Sequence, residues 1–426
     1  MTQISEAKKR KITEQIKNVA KNENIDLEKI RRRVASGKIV IPFNPIHSPK
    51  SLGIGKGLRV KVNANIGTSR EHCDVKEEIE KAKVSMEAGT HAVMDLSTGG
   101  DLDKIRTSLI KTVDIPFGTV PIYQTGIEAI EKHGAIVDMT EDEMFNMFEH
   151  QAKQGVDFAV VHVGVTKVSV ERLQRQKRLI PMVSRGGSFH MAWILHNKQE
   201  NPLYKNFDYL LEIASKYDVT LSLGDGMRSG AVYDSNDRAK FQELLIIGEL
   251  VDRAREKGVQ AMVEGPGHMP LNDIQSNIQV MKTVTNEAPY FVLGPLVTDV
   301  APGYDHFVGG IGGAVAGLAG ADFLCYLTPA EHLALPDKDD VREGVVAARI
   351  AAHAADLARG IDRDMDFNFS KAREDLNWEE MFDLCIDSKK AREYREKRLP
   401  LEDTSACSMC GKLCAIEMVK KYLRKR

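Results

Sequence analysis

Three cysteines stand within eight residues near the end of the chain, Cys407-Ser-Met-Cys410-Gly-Lys-Leu-Cys414. Structural zinc sites and fully ligated iron–sulfur clusters take four protein ligands. Three thiolates with no fourth cysteine or histidine beside them therefore point to a metal centre with one open position. In a [4Fe–4S] cluster the open iron can chelate S-adenosylmethionine, and an electron passed into the sulfonium releases a 5′-deoxyadenosyl radical. A structural zinc knuckle with a distant fourth ligand is the competing reading; the unaccompanied third cysteine, four residues after Cys410, favours iron–sulfur.

Other residues offer polar chemistry. His268 and His332 would suit Zn²⁺ or Fe²⁺ as a Lewis acid if the fold brings them together, and would serve equally as hydrogen-bonding or acid–base groups. Glu264, four residues before His268, is placed to reach a metal or a substrate. Ser184-Arg185-Gly186-Gly187-Ser188 joins a guanidinium to glycine amides, which suits a phosphate, or else is an ordinary tight turn. Asp225-Gly226-Met227-Arg228 sets a carboxylate and a cation on one turn. Asn65, Met94, Tyr123 and His162 are single polar or soft contributions.

The elements that must position these groups show as short apolar runs, each followed by a stretch able to form a helix. The runs are 91–94, 116–120, 158–161, 181–183, 219–223, 259–263, 290–293 and 322–326. Such runs are the mark of buried parallel strands. Eight of them predict an α/β fold, a (β/α)8 TIM barrel, whose reactive groups come from the C-terminal ends of different strands. Just past the runs stand Asp95, Tyr123, His162, Ser184, Asp225, Glu264, Thr298-Asp299 and Glu331-His332. An open doubly wound sheet shows the same alternation, but no Gly-x-Gly-x-x-Gly opens the first unit.

Three regions follow: an N-terminal α+β domain over 1–85, the barrel over 86–360, and a C-terminal helical tail with the cluster motif over 361–426. The first carries helical patterning over 4–22 and 26–35 and strand-like runs at 38–42 and 58–62. In the last, Pro400 and Glu402 to Ser405 read as a flexible linker before the cysteines. The closing 415–426 reads as an amphipathic helix whose Lys420, Lys421, Arg424, Lys425 and Arg426 form a solvated face.

With 59 Lys+Arg against 61 Asp+Glu, the chain has no bulk charge to attract nucleic acid or acidic lipid, so its ligands are expected to be small. The three cysteines outside the motif, Cys73, Cys325 and Cys385, are scattered and read as buried small hydrophobes in a reducing, cytoplasmic compartment. The N-terminus is charged and lacks the apolar core of a signal peptide. The most apolar window, 309–327, is glycine-rich and broken by Asp322, a buried helix and strand and not a membrane span.

Longer motifs add a resemblance. Val62-Asn-Ala-Asn-Ile-Gly-Thr68, Val93-Met-Asp-Leu-Ser-Thr-Gly-Gly100, Gly118-Thr-Val-Pro-Ile-Tyr-Gln124, Val183-Ser-Arg-Gly-Gly-Ser188, Glu264-Gly-Pro-Gly-His268 and Ala301-Pro-Gly-Tyr-Asp-His306 resemble the thiamin pyrimidine synthase (phosphomethylpyrimidine synthase) family, from about residue 10 to the cysteines. The resemblance implies a homodimeric radical S-adenosylmethionine enzyme acting on 5-aminoimidazole ribotide, reduced by a donor such as flavodoxin or ferredoxin. It implies cluster ligands Cys407, Cys410 and Cys414 and a second metal, zinc or iron, on His268 and His332. Substrate contacts carry over to Asn65, Met94, Tyr123, His162, Ser184, Arg185, Gly186, Asp225, Gly226, Met227, Arg228, Glu264 and, at the family's tyrosine position, Phe291.

That last position departs from the pattern. Where the family usually reads Ala-Pro-Phe-Tyr, this chain has Ala288-Pro-Tyr290-Phe291, so a substrate-facing hydroxyl is missing. Met227-Arg228-Ser229 and the region of Asn44-Pro-Ile-His47 are also altered, and three residues instead of four separate the last two cysteines, as in shorter anaerobic members. Pocket changes on a retained scaffold favour the paralog 5-hydroxybenzimidazole synthase, which supplies a cobamide lower ligand, over the thiamine enzyme.

Overall fold

The segment Lys61–Ile66 alternates polar and apolar residues, yet all six positions lie in a strand that is almost wholly buried. Its polar ends are satisfied: Lys61 reaches Glu23 at 2.9 Å, and Asn65 Nδ2 donates to Cys325 Sγ at 2.9 Å. It is the first strand of a closed, all-parallel eight-stranded barrel, in a computed structural model that describes residues 1–400 and 405–423.

In chain order, β1 (Ile39–Val40) and β2 (Ile54–Gly55) form a small antiparallel pair. The barrel is built from β3 (Lys61–Ile66), β4 (Ala92–Asp95), β5 (Phe117–Thr119), β6 (Phe158–Val161), β7 (Thr220–Leu223), β8 (Ala261–Gly265), β9 (Tyr290–Leu293) and β10 (Phe323–Cys325). β10 closes on β3 with Phe323 opposite Lys61. The expected (β/α)8 architecture is therefore present, with one strand reassigned at each of two places.

The run at 181–183 is no strand: β6 pairs directly with β7. Pro181 has no N–H to give a ladder, and the amides of Leu179 and Ile180 go instead to the Asp234 carboxylate at 3.1 and 3.0 Å. The missing strand is β3, inside the segment assigned to an N-terminal domain. The strand-like run at 58–62 overlaps its first two residues, but the two asparagines that follow kept it out of the barrel count.

The chain divides into two compact units, Met1–Asp356 and Leu357–Arg426. In the first, the N-terminal helices Gln3–Lys8, Glu14–Glu23 and Leu27–Ala35 enclose a small core of Ala7, Ile16, Val19, Ile30, Val34 and Leu58. The helix expected over 4–22 is broken, since Arg10 takes a left-handed backbone and the Thr13 side chain caps a new start. The apolar window at 309–327 is the helix Asp305–Ala319 followed by β10. Gly312 of that helix lies so close to the Pro295 carbonyl that a Cβ would come within 1.9 Å of its oxygen. Among the described residues no helix is long and apolar enough to cross a membrane.

The second unit holds helices Arg363–Glu374, Trp378–Leu384 and Ser388–Glu396, a short 3-10 turn Gly411–Leu413 and the helix Ala415–Leu423. The expected linker at 402–405 lies outside the described residues except for Ser405, as do Arg424, Lys425 and Arg426 of the basic face. Of the scattered cysteines Cys325 is buried, Cys385 is half-buried and Cys73 is exposed, contrary to expectation. Cys73 sits on the loop before the helix Val75–Glu87, its thiol donating to the Ser69 carbonyl at 2.8 Å.

Candidate active site

The C-terminal ends of the barrel strands enclose a cleft of about 510 Å³, counting the part open to solvent. Asn65, Met94, Tyr123, His162, Arg228, Glu264 and Phe291 all line it. Asn65, Met94 and Glu264 are the next-to-last residues of β3, β4 and β8, His162 directly follows β6, Tyr123 and Arg228 stand on the segments after β5 and β7, and Phe291 lies within β9, so most of these side chains meet at the C-terminal mouth. Asn65, Leu96 and Leu293 are shared with an adjoining space that also meets Arg185, Glu331 and His332.

Phe291 presents a hydroxyl-free ring, stacked on Phe323 with centroids 4.3 Å apart. Glu264 accepts from Ser222 Oγ at 3.2 Å. Burial pushes its carboxyl up to about 7, against the pull of the Arg228 cation. Burial likewise holds His162 well below the usual imidazole range, with the His190 and Arg228 charges adding to the effect. A neutral imidazole and a carboxyl that titrates near neutrality can hold or move a proton beside a bound ligand.

Ser184 caps the helix Arg185–Asn197, its Oγ accepting from Gly187 N at 3.1 Å, so the phosphate-suited stretch is a helix N-terminus. Arg185 lies over the Tyr123 ring at 5.1 Å. Gly186 presses on His162 so closely that a Cβ would lie 2.2 Å from its Cε1. Two expected contacts are not brought into the cleft by their side chains: Met227 is fully buried in the core, and Asp225 is buried with Oδ2 lacking a hydrogen-bond partner.

Two contributors escaped the sequence reading. Cys325 lines the cleft, and burial pushes its thiol up, so it is neutral; its place at the end of the eighth run was the available signal. Glu243, on the helix Arg238–Glu256, receives Gly226 N at 2.9 Å and Met227 N at 2.7 Å and so fixes the Asp225–Arg228 turn. No signal in sequence separates Glu243 from a surface helix position. Asp299, marked in the sequence only as a strand-end residue, acts on His268.

His268 and His332 do converge, with ring centroids 5.3 Å apart. His268 Nδ1 is 2.7 Å from Asp299 Oδ1, and His332 Nδ1 is 3.4 Å from Asp305 Oδ1. The Asp299 hydrogen bond fixes the His268 tautomer that leaves Nε2 as the lone-pair donor, the usual support of a metal-binding histidine, while Asp305 stands more loosely behind His332. The His268 main chain is held too, its carbonyl accepting from Ser229 Oγ at 2.7 Å. This pair fits a cation completed by water or ligand. Among the described residues no three His, Cys, Asp or Glu side chains form a ready ligand set.

In the second unit the cysteine loop curls on itself. Cys410 N and Gly411 N donate to the Cys407 carbonyl at 3.2 and 2.9 Å, and Gly411 takes a left-handed backbone that favours glycine. The Cys410 amide, and then that of Met409, directed at the Cys407 sulfur hold its thiol below the ordinary value; Cys407 in turn pushes Cys410 up. Amides near one sulfur and two thiols within reach of each other are donor chemistry suited to a thiolate-ligated iron cluster. Cys414 stands just before the final helix and is buried. The residues fit the cluster.

The Radical SAM ThiC family model matches residues 2–421. A phosphomethylpyrimidine synthase of Moorella thermoacetica is 56% identical over 100% of this chain and 99% of its own length. Proteins of the same name from Methanocaldococcus jannaschii and Pyrococcus abyssi are 54% and 55% identical, over 99% and 100% of this chain and 99% of each relative. These relatives overturn the expectation of a hydroxybenzimidazole product. The Phe291 exchange alters one ring of the lining, while Asn65, Tyr123, His162, Arg228 and Glu264 remain around it, so a single lost hydroxyl does not outweigh full-length similarity. The chain is a radical SAM enzyme that works with a [4Fe–4S] cluster and S-adenosylmethionine, and it belongs to the Radical SAM ThiC family.

Proposed function

We propose that the enzyme rearranges 5-aminoimidazole ribotide into 4-amino-5-hydroxymethyl-2-methylpyrimidine phosphate, the pyrimidine of thiamine. The observation that carries this reading is full-length identity of 53–56% to relatives named phosphomethylpyrimidine synthase, together with a cleft lined by Asn65, Met94, Tyr123, His162, Arg228, Glu264 and Phe291 among the expected contacts. Cys407, Cys410 and Cys414 are the ligands of the [4Fe–4S] cluster, which when bound with S-adenosylmethionine supplies a 5′-deoxyadenosyl radical.

The chain's own residues bind and orient. The ribotide phosphate belongs against Ser184, Arg185 and Gly186, where a helix N-terminus and a guanidinium favour an anion. Asn65, Tyr123 and His162 offer hydrogen bonds to the ribose and imidazole, while Met94 and Phe291 give apolar faces. The Asp225–Arg228 turn contributes main-chain groups and the Arg228 cation. Glu264, titrating near 7, holds or gives up a proton at its carboxyl oxygens. His268 and His332 hold a second cation, zinc or iron, through Nε2. The setting is a reducing cytoplasm, the assembly a homodimer, and the electron source a small carrier such as flavodoxin or ferredoxin.

Anaerobic reconstitution tests this. Incubated with the ribotide, S-adenosylmethionine and dithionite, the brown protein should release 5′-deoxyadenosine and one phosphorylated pyrimidine, identified by mass spectrometry. A colourless zinc-loaded protein, or any other heterocycle as main product, would overturn the reading. Metal analysis of H268A should show loss of the second cation while iron and sulfide stay unchanged.

A further inference from the structure

Two arginines of the helix Ser388–Glu396 differ in how their charge is met. Arg392 pairs with Glu379 at 2.6 Å and with Asp383 at 3.2 Å. Arg395 has no carboxylate partner among the described residues; it lies flat on the Trp378 indole, its guanidinium carbon 3.6 Å from the ring centroid. Trp378 is itself tied to the cysteine loop, Nε1 donating to the Ser405 carbonyl at 2.7 Å, two residues before Cys407. Trp378, Arg395 and Cys407 line a single recess of the second unit.

We propose that Arg395, held on the Trp378 ring, is a positioning residue acting through Cys407: it sets an uncompensated positive charge beside that sulfur and raises the reduction potential of the iron–sulfur centre. The inference rests on the reading of Cys407 as a cluster ligand. Its physical basis is Coulomb's law. A one-electron reduction adds negative charge to the centre and its thiolates, so a nearby cation stabilises the reduced form more than the oxidised one. The indole keeps the guanidinium in place without neutralising it, since a cation over a π-face retains its full charge. A planar guanidinium stacks where an ammonium does not, so lysine preserves charge and loses position. Raising the potential makes the centre easier for a weak one-electron donor to reduce.

The test uses the full-length chain, reconstituted anaerobically, with iron and sulfide counts and the visible spectrum fixing cluster content before any potential is measured. Midpoints then come from dye-mediated titration followed by electron paramagnetic resonance. In R395Q the ratio of reduced to oxidised centre at a fixed potential should fall about tenfold, equivalent to about 59 mV for one electron. R395K should fall by less, and R392Q, whose arginine lies outside the recess that Arg395 shares with Cys407, should fall by clearly less than R395Q. A fully loaded R395Q at the wild-type midpoint overturns the inference, as does an equal fall in R392Q. An R395Q chain empty of cluster while R395K loads fully also overturns it, assigning Arg395 to assembly. A wild-type chain that holds no cluster fails at the earlier step and removes the reading of the cysteines themselves.

Discussion

The barrel and the C-terminal unit build their chemistry in opposite ways. In the barrel the reactive groups other than the exposed Arg185 and His332 are buried or half-buried, and several are locked by neighbours: Glu264 by Ser222, His162 by the Gly186 backbone, the Asp225–Arg228 turn by Glu243. In the C-terminal unit the loop around the cysteines is open, with Met409 89% and Leu413 78% exposed. A barrel-mouth site is an extension of a hydrophobic core, so its residues carry stability as well as function. A cysteine loop gains most of its organisation from the group it binds. Damage should therefore read out as unfolding in one region and as lost chemistry in the other.

The sharpest contrast comes from the cysteines. Changing Cys407, Cys410 or Cys414 to alanine should abolish 5′-deoxyadenosine release, a fall of more than about 10³-fold, since removal of a cluster ligand removes the reaction's electron path. The melting of the first unit should stay within about 0.5 kcal/mol of wild type by calorimetry. An equal loss of barrel stability would break the comparison.

Glu243→Gln probes the opposite case. Replacing one carboxylate oxygen by an amide nitrogen sets an NH₂ against a main-chain N–H in a buried place, at a cost of about 2–4 kcal/mol by denaturant unfolding. Activity should fall with it, because the Asp225–Arg228 turn loses its anchor. A stable but inactive E243Q would show that Glu243 acts on the ligand.

Gly186→Ala is next in size. The added methyl must displace the His162 ring, costing about 1–3 kcal/mol and raising KM for the ribotide by about tenfold with kcat less affected. Titration calorimetry with the ribotide checks the affinity directly.

Glu264 gives the smallest and most pH-dependent effect. Its carboxyl sits at about 7 in the folded chain, above the usual value of 4.5, because burial disfavours the charged form. The folded state therefore holds a proton that the unfolded state releases. This contribution is complete below about pH 4.5 and is lost as pH rises through about 7. E264Q removes the loss, so in the ligand-free protein the variant should gain on wild type by about 1–2 kcal/mol between pH 5 and 8, discounted because the carboxyl keeps a face on the cleft. Urea midpoints at several pH values check this, and parallel curves would assign the proton elsewhere.

Much of this site was legible before any fold was known, and the reason is local. Strand ends are marked by an apolar run that stops at a polar residue, so Tyr123, His162, Asp225 and Glu264 announce themselves. Lys61–Ile66 did not, because its polar side chains find partners only across the barrel, Lys61 at Glu23 and Asn65 at Cys325. The run at 181–183 misled in the opposite sense, apolar but bound to Asp234 through its neighbours' amides. Phe291 lines the cleft, but one missing hydroxyl is a weaker signal of product than full-length similarity.

The amino-acid order alone determined the cluster loop, since the spacing of Cys407, Cys410 and Cys414 and the glycine at 411 are local and need no distant partner. It also marked seven of the eight barrel strands, β4 to β10, because burial on both faces imposed an apolar run on each, while β3 was masked by its polar residues and the run at 181–183 stood falsely in its place. Only the tertiary structure decided which segment closes the barrel, that Asp299 and Asp305 stand behind the two histidines, and that Glu243 holds the turn before Arg228. Each of these is a contact between residues far apart in the chain, fixed by closure of the barrel and by the need of every buried polar group for a partner.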